Sequence, residues 1–355
     1  MIQLKDVVYR VGEFRLLKVS LAVSDGNCMA LMGPAGSGKS VLLECICGIR
    51  PIESGKIILD GKDMAKLPPR LRNIGYVPQD YVLFKHLNVA DNIGFALKVQ
   101  GQSKSRRTRQ VCRVAEMLSI EDMLYKPVHD LSSGHRQCVA LARALVAEPS
   151  VLLLDEPVSA LAEVHRREIC AMLRIISKDL KLTVIHVSHN LEESFAVADS
   201  AAVMLDGVVE QSGSLKDILR KPESEFVARY MKCENIYSGH TTGAVYPGGT
   251  EVKFGSKSLV LPGSLNKNVK FMIRPENIRL FVKYASWHED ENTIPVKVVG
   301  FRDFGSYVRI ELDGPALMVA HMTYNDFNDL DIPNNTNLLA WLPRESIHVI
   351  EDEQP

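Results

Sequence analysis

The feature that most constrains this chain is a glycine-rich loop near its start, with the sequence Gly33-Pro34-Ala35-Gly36-Ser37-Gly38-Lys39-Ser40. It fits the pattern G-x-x-x-x-G-K-[ST], follows the apolar run 29–32 and precedes an apolar pattern of helical spacing. Glycine has no Cβ, so the backbone N–H groups of such a loop can approach phosphate oxygens closely, and the following helix adds its positive N-terminal end. The loop therefore predicts a phosphate-binding site in which Lys39 reaches β- and γ-phosphates and the Ser40 hydroxyl binds Mg²⁺.

Short apolar runs alternate with helical patterns through the first 230 residues or so. Strands are predicted at 28–32, 56–59, 151–154, 182–187 and 201–205, and helices at about 87–130, 139–146 and 163–179. In an early strand, alternation places Leu17, Val19, Leu21 and Val23 on one face. Strands that alternate with helices indicate a parallel α/β core, in which the segment 87–130 forms a helical subdomain.

Two carboxylates end one buried strand, and a histidine follows the next. Asp155 and Glu156 come after the apolar run 151–154, and His189 comes after the strand 182–187. Beside a phosphate-binding loop, Asp155 is predicted to hold Mg²⁺ and Glu156 to orient or deprotonate the attacking water, because phosphoryl transfer needs the nucleophile in line. His189 is predicted to contact the γ-phosphate. Lys39, Glu156 and His189 are thus the predicted catalytic residues.

A second loop distinguishes this chain from phosphate-binding-loop proteins in general. The segment Leu131-Ser132-Ser133-Gly134-His135-Arg136-Gln137 resembles the L-S-G-G-Q signature of ATP-binding-cassette (ABC) ATPases. The resemblance implies that Ser132 and the backbone of Gly134, with Ser133 between them, bind the γ-phosphate of ATP held by a partner subunit. A symmetric homodimer would then enclose two ATP molecules. It also implies that Gln79 is the Q-loop residue, which touches Mg²⁺ and couples to a membrane subunit.

Three positions depart from the family pattern. Ser133 stands where the family has glycine, and His135 stands where glutamine or glutamate is usual. Ala162 replaces the usual aspartate of the D-loop, 159–162. The last departure predicts weaker communication across the dimer and slower ATP hydrolysis than in typical relatives.

A fourth departure concerns the aromatic residue that stacks on adenine in this family. The family usually has that residue just before the position of Gly12, where this chain has Val11. Both Tyr9 and Phe14 stay open as substitutes.

Three segments narrow the resemblance to the ATPases of molybdate and tungstate importers: 12–16, 38–44 and 77–89. Lys85 departs from a proline common in that group. The resemblance implies an importer subunit that hydrolyses ATP to ADP and phosphate at the cytoplasmic side of the cell membrane. An integral membrane permease and an extracytoplasmic substrate-binding protein would be separate chains. Sulfate, polyamine, sugar and iron importers share this architecture and stay open as alternatives.

The composition changes after about residue 235, where short strands alternate with Pro-Gly turns. The predicted domains are therefore an ABC-type nucleotide-binding domain, 1–234, and an all-β domain, 235–355. Segments 271–278 and 341–347 echo each other, since in each an apolar strand leads to an arginine, a glutamate and an isoleucine. We interpret the echo as two copies of a small β module that form one OB-like barrel.

In the molybdate group, paired modules of this kind (TOBE or mop-like domains) can bind the oxyanion. The resemblance thus implies a regulatory anion site in the second domain. An oxyanion requires backbone N–H donors and a few hydroxyl or basic side chains. The segment 297–309 supplies Lys297, Arg302, Gly305, Ser306 and Arg309.

Composition argues against several other classes of protein. The net charge of −1 gives no global attraction to nucleic acid, no apolar run approaches the ~18 residues of a membrane span, and the start lacks a signal-peptide pattern. The seven cysteines contain no C-x-x-C pair, which predicts that they are small buried side chains and not metal ligands or disulfides.

Two other functions stay open. One is a non-transport ABC protein acting on ribosomes or DNA, although such proteins usually carry a second cassette or a coiled-coil insertion. The other is an oxyanion sensor with a decayed ATPase, which the intact Lys39, Asp155, Glu156 and His189 argue against.

Overall fold

The structure is a computed structural model that describes residues 1–159, 161–266, 268–282 and 291–350. The chain divides into two compact units, Met1–Leu215 and Lys216–Pro355. The domain boundary after residue 234 is inferred from the sequence and stays a prediction. Within the described ranges, no helix has the length and apolar character that crossing a membrane requires.

The first unit is built on a six-stranded, mostly parallel sheet. Its strands are β3 (Cys28–Met32), β6 (Ile74–Val77), β7 (Val151–Asp155), β8 (Thr183–Val187), β9 (Ser200–Leu205) and β10 (Val208–Gly213). They lie in the order β10-β9-β3-β8-β7-β6, and the pairing is parallel everywhere except between β9 and β10. Every residue of β3, β7 and β8 is buried, as a sheet covered on both faces requires. The predicted parallel α/β core is confirmed.

An antiparallel sheet and one helix cover one face of the central sheet. The covering elements are β1 (Ile2–Val11), β2 (Phe14–Val23), β4 (Ser54–Leu59), β5 (Lys62–Asp63) and α1 (Lys39–Cys47), with the strands in the order β2-β1-β4-β5. The prediction that Leu17 shares the buried face of β2 with Val19, Leu21 and Val23 is wrong, because Leu17 is exposed and Leu16 is buried instead. A bulge with one extra residue between Leu16 and Val19, where Lys18 adopts a left-handed φ of 50°, reverses the faces there.

Helices cover the other face, and their apolar side chains share a core with Leu152, Leu154 and Val184 of the central sheet. These helices are α2 (Val89–Val99), α3 (Lys104–Met117), α4 (Ser133–Leu145), α5 (Glu163–Asp179) and α6 (Leu191–Val197). The first two lie within the segment 87–130, for which a helical subdomain is predicted. Side chains of Asn88, Ser103 and Ser132 cap α2, α3 and α4 by accepting a first-turn N–H bond.

Helix α5 begins without such a cap. Ala162 has the extended backbone of an N-cap residue (φ −60°, ψ 150°), but no side-chain hydrogen bond caps the helix. The change Ala162→Asp places a carboxylate where first-turn N–H groups and the helix dipole favour it, so we expect the free energy of unfolding to rise by about 1 kcal/mol. Urea unfolding of the full chain measures this, with Ala162→Leu as the control. Equal stability of the two variants would contradict the missing-cap explanation.

A buried histidine makes the stability of the first unit depend on pH. His186 lies in β8, is fully buried, and neither of its ring nitrogens has a hydrogen-bond partner in the described part of the chain. Burial lowers its pKa from 6.5 to about 4. The unfolded chain binds a proton there below about pH 6.5, whereas the folded chain does not until about pH 4. Acidification through this window therefore favours unfolding, by up to about 1.4 kcal/mol per pH unit.

We expect His186→Leu to flatten this loss of stability between pH 6.5 and pH 4. Urea unfolding at several pH values measures the slope, and other titrating groups contribute equally to both proteins. His129→Gln, which replaces an exposed histidine, is the matched control and should leave the slope unchanged. A slope that His186→Leu does not alter would show that His186 is protonated in the folded chain.

The second unit contains two five-stranded antiparallel sheets around one core. The first has the order β13-β12-β11-β14-β20, with β11 (Asn235–Tyr246), β12 (Gly249–Phe254), β13 (Lys257–Pro262), β14 (Asn268–Ile273) and β20 (Ile347–Ile350). The second has the order β15-β19-β16-β17-β18, with β15 (Arg279–Val282), β16 (Thr293–Asp303), β17 (Val308–Asp313), β18 (Met318–Met322) and β19 (Asn337–Trp341). The remaining α-helices in the described ranges are α7 (Leu215–Arg220), α8 (Glu225–Tyr230) and α9 (Tyr324–Asp329). Phe254 and Phe271 of the first sheet share a core with Ile310 and Leu312 of the second.

The two sheets exchange their last strands at the repeated segments. The chain leaves β14, and the next strand, β15, pairs with β19 in the other sheet. It later leaves β19, and the next strand, β20, pairs with β14 in the first sheet. Two copies of one module thus build a single all-β domain, which confirms the fold predicted for the C-terminal part.

Candidate nucleotide site

The predicted site residues follow four neighbouring parallel strands. The loop 33–40 follows β3, Gln79 follows β6, Asp155 ends β7 and His189 follows β8. The carboxyl ends of parallel strands meet at one edge of a sheet, which is where open α/β sheets bind ligands. The fold therefore brings these four segments together.

Two glycines of the loop allow its tight path. Gly33 and Gly38 have φ angles of 144° and 102°, in the region that side chains disfavour. A Cβ at Gly33 would collide with the carbonyl oxygen of Met204, and one at Gly38 would collide with the ring of Phe14. The loop conformation therefore depends on glycine at both positions.

Lys39 lies inside this loop and holds it closed. Its Nζ donates to the carbonyl oxygens of Gly33 (3.0 Å) and Pro34 (2.8 Å). Burial lowers the pKa of the Lys39 ammonium, and the nearby carboxylates of Glu156 and Asp155 oppose that shift. A bound phosphate would offer this ammonium a stronger, charged acceptor than the two carbonyl groups.

Ser40 and Asp155 form a pair of oxygen ligands suited to Mg²⁺. Ser40 Oγ donates to Asp155 Oδ1 at 3.0 Å. Burial raises the pKa of Asp155, and the bond from Ser40 opposes the shift. Mg²⁺ is usually bound by one or two carboxylates together with water and substrate phosphates. The described residues contain no cluster of three or more His, Cys, Asp or Glu side chains that could hold a metal alone. The residues present thus fit a metal that arrives with a nucleotide.

Glu156 is the centre of a second polar group. It has a left-handed φ of 47°, uncommon for a residue with a side chain. Its Oε2 accepts from Gln79 Nε2 at 3.3 Å and lies 3.6 Å from Nδ1 of His189. Side chains from two other loops thus converge on the carboxylate of Glu156, the residue next to the buried Asp155.

A buried carboxylate that the sequence analysis missed supports the loop of His189. Glu193 Oε2 accepts from Ser188 Oγ at 2.6 Å, and its other oxygen lies 3.3 Å from Nε of Arg166. Ser188 Oγ also accepts from the backbone N–H of Asn190, at 3.0 Å. The residues on both sides of His189 are therefore fixed. The only signal in the sequence is a glutamate in the first turn of a short helix, which is usually a solvent-exposed position.

Arg143, also missed, anchors the loop after Gln79. From α4 it donates to the carbonyl oxygens of Val82 (2.7 Å) and Tyr81 (2.8 Å), and its guanidinium lies over the ring of Phe84. Tyr81 and Val82 both have positive φ angles, 60° and 45°. One arginine thus stabilises an uncommon turn directly beside the predicted Q-loop.

The signature residues lie apart from this group. None of the contacts described for the chain joins Ser132 or Ser133 to the phosphate-binding loop, Asp155 or Glu156. Ser132 is exposed at the N-cap of α4, and its Oγ accepts from the backbone N–H of His135 and lies 2.9 Å from His135 Nδ1. A Cβ added at Gly134 would meet no atom within 4 Å. This helix end is therefore open to a ligand from outside the chain. Ala160 of the D-loop lies outside the described residues.

The two candidates for adenine stacking differ in position. Tyr9 is buried in the core, and its hydroxyl accepts from Arg50 Nη1 at 3.0 Å. Phe14 is half-buried and packs beside Gly38 of the phosphate-binding loop. Of the two, Phe14 is therefore the one that lies next to the loop.

The five groups suggested for an anion in the C-terminal unit do not form one site. Arg309 forms an ion pair with Glu234 (2.7 Å) and another with Glu311. The backbone N–H of Gly305 donates to Asp303 at 2.7 Å. Lys297, Arg302 and Ser306 line three separate pockets. The suggested grouping therefore does not converge on one ion.

Comparisons with known proteins agree with this geometry. The family model described as "ABC transporter" matches residues 16–159. The "Molybdate/tungstate import ATP-binding protein WtpC" of Pyrococcus horikoshii is 35% identical over 98% of this chain and 99% of its own length. The "Spermidine/putrescine import ATP-binding protein PotA" of Clostridioides difficile is 33% identical over 99% of this chain and 98% of its own length.

A solved structure supports the assignment of the first unit. It is the dimeric post-hydrolysis state of the ATP-binding cassette MJ0796 bound to ADP and Pi, with a TM-score of 0.55 and 28% identity. The match covers 61% of this chain and 99% of the cassette. The resemblance drawn from the signature loop is confirmed, and the ATPase activity it implies is confirmed with it. This chain therefore belongs to the ABC transporter family, as one of its ATP-hydrolysing subunits.

Proposed function

We propose that this ATPase energises the import of molybdate or tungstate through a separate membrane permease. The observation that carries the proposal is that similarity to a molybdate/tungstate import protein extends over nearly the whole chain, including the paired β modules. The chain would lie at the cytoplasmic side of the membrane, and an extracytoplasmic binding protein would deliver the substrate to the opposite side of the permease.

In the proposed cycle, Lys39 leaves the two loop carbonyls and binds the β- and γ-phosphates of ATP. Ser40, Asp155 and Gln79 would hold the Mg²⁺ ion, which neutralises phosphate charge as it develops. Glu156 would orient the attacking water and accept its proton, with His189 beside it. Ser132, Ser133 and Gly134 of a second copy would complete each site, so that a homodimer closes over two ATP molecules.

An apolar surface around the Q-loop fits the permease partner. Val82, on the loop after Gln79, and Phe95, whose ring packs against Phe84 of the same loop, are exposed large apolar side chains. Arg143 holds the backbone of Val82 in a fixed turn, so this surface has a defined shape. Exposed apolar clusters of this kind mark contact sites between proteins. Gln79, on the same loop, would report the nucleotide to the permease.

Uptake by the reconstituted transporter tests the proposed substrate. Vesicles that contain the permease, its binding protein and this chain should take up tungstate and molybdate in an ATP-dependent manner. The variant Lys39→Ala is the control for ATP dependence. Uptake of sulfate or spermidine, with none of tungstate or molybdate, would overturn the substrate assignment while leaving the ATPase assignment intact.

A specific pocket supports a regulatory oxyanion site in the C-terminal unit. Lys297 lines a pocket of about 540 Å³ together with Thr336, Asn337 and other polar groups. A lysine with hydroxyl and amide donors suits an oxyanion, although Asp313 also lies there. Another pocket of this unit, of about 620 Å³, is lined by Glu276, Asp326 and Asp329, which repel anions, as well as by Arg279 and His321.

Calorimetric titration of tungstate, molybdate and sulfate into the full chain tests this site. We expect Lys297→Met to weaken tungstate binding about tenfold or more, because it removes a charge-assisted contact. Lys253→Met, on β12, is the matched control. No binding to the unaltered chain below millimolar concentration would make the domain structural rather than regulatory.

A further inference from the structure

The signature loop contains a side-chain hydrogen bond that arises because His135 replaces the glutamine or glutamate usual in the family. In the usual S-x-x-E/Q arrangement, the side chain three residues after the cap reaches back to the backbone N–H of the cap residue. Here His135 occupies that position, and its Nδ1 lies 2.9 Å from the Ser132 hydroxyl oxygen. The histidine thus contacts the atom that, in the proposed dimer, faces the γ-phosphate.

The hydroxyl of Ser132 has one proton and two lone pairs. One lone pair already accepts from the backbone N–H of His135. If Nδ1 carries no proton, the hydroxyl donates to it, and Ser132 has no proton left for a phosphate. If Nδ1 carries a proton, it donates to the second lone pair, and the Ser132 proton becomes free to point outward.

We propose that His135 is a positioning residue that controls whether Ser132 can donate a hydrogen bond to the γ-phosphate held by a second subunit. The proposal rests on the proposed function of the signature loop in the dimer. A doubly protonated ring must donate from Nδ1, and its positive charge then lies one hydrogen bond from the phosphate. Closure of the ATP dimer and proton uptake by His135 should therefore favour each other, since such coupling is reciprocal.

No other side chain described in the structure competes with Ser132 for a hydrogen bond to His135. Ser132 is its only side-chain hydrogen-bond partner in the described part of the chain, and no carboxylate there forms an ion pair with it. Arg136, the next residue, is exposed and carries the nearest charge along the helix. Tyr81, on the loop after Gln79, lies near this charge: burial raises the pKa of Tyr81, and Arg136 opposes that shift. Asp130, two residues before the Ser132 cap, is the nearest carboxylate along the chain and lies 3.5 Å from His129. The dimer phosphate would add a second anion at this helix end.

The experiment measures ATP-driven dimerisation between pH 8 and pH 6 by analytical ultracentrifugation. All proteins carry Glu156→Gln, which prevents hydrolysis and preserves the dimer. The parent protein should need about tenfold less ATP for half-maximal dimerisation at pH 6 than at pH 8, beyond any change shared with His135→Gln. At pH 8, His135→Gln should dimerise at lower ATP than the parent, because its Ser132 proton is already free. Protonation of ATP itself affects all proteins alike.

Two further variants separate this mechanism from others. Ser132→Ala should remove the extra pH dependence even though His135 is present, because the histidine acts through the hydroxyl. His240→Gln, which replaces an exposed histidine of the C-terminal unit whose Nδ1 contacts Asn268, should keep it.

Equal pH slopes for the parent and His135→Gln, with normal dimerisation, would overturn the role of His135 and leave the proposed function standing. A full slope in Ser132→Ala would also overturn it. Failure of every protein to dimerise with ATP would overturn the role of the signature loop and this inference together.

Discussion

Glu156→Gln is expected to lower ATP turnover by about 10²–10⁴ while ATP binding stays intact. The carboxylate of Glu156 is the one group that Gln79 and His189 both approach, at 3.3 and 3.6 Å. Glutamine has almost the same shape and can keep a hydrogen bond to Gln79, but it cannot accept a proton from water. The Lys39 loop and the Ser40–Asp155 pair, which are proposed to bind the nucleotide, do not depend on it.

Steady-state phosphate release and ATP titration of the same preparation measure the two effects. The variant should accumulate as an ATP-bound dimer, because closure no longer leads to hydrolysis. Glu148→Gln, at an exposed carboxylate that pairs with Arg113, is the matched control and should hydrolyse normally. Unchanged turnover in Glu156→Gln would remove Glu156 from the mechanism.

Mixing two inactive variants is expected to restore ATP hydrolysis. Lys39→Ala removes the residue proposed to bind phosphate within the chain's own loop, and Ser132→Arg blocks the exposed helix end that would face a partner. In a mixed dimer, one site loses both groups and the other keeps both. That composite site should hydrolyse ATP, so the mixture should show up to about a quarter of the unmutated activity if the subunits pair at random and the two sites act independently.

Each variant alone should be nearly inactive, since both of its sites are damaged in the same way. The control is a mixture of Lys39→Ala with Lys39→Ala/Ser132→Arg, which contains no intact site in any dimer. If the mixture of single variants hydrolyses ATP as poorly as this control, Ser132 does not serve a partner's nucleotide.

Sequence patterns predicted the parts of the site that are local in the chain. The phosphate-binding loop is a continuous stretch with its own strand and helix, so its residue types define its geometry. The Asp155–Glu156 pair follows a wholly buried strand, and burial of that strand was readable from its apolar run. Six of the seven cysteines are buried, as their residue type suggested, and Cys112 alone lies exposed on α3.

Features that depend on distant parts of the chain could not be predicted in this way. Arg143 meets the loop after Gln79 only because α4 packs beside it, and an arginine on a helix usually reaches solvent. The exchange of faces in β2 comes from one extra residue at a bulge, which breaks a period-two pattern without any change in composition. The contact between Ser132 and His135 requires particular rotamers of both side chains, and no sequence motif specifies a rotamer.

The exchange of last strands in the C-terminal unit has a consequence for how that unit can be inherited. Because β20 completes the sheet of the first module and β15 completes the sheet of the second, neither copy holds all of its own strands. Cutting the chain between the two modules would leave both sheets one strand short, so neither module can be passed on alone with a complete sheet. The two modules must also fold and unfold together, because they share one hydrophobic core. Selection on either copy therefore acts on both.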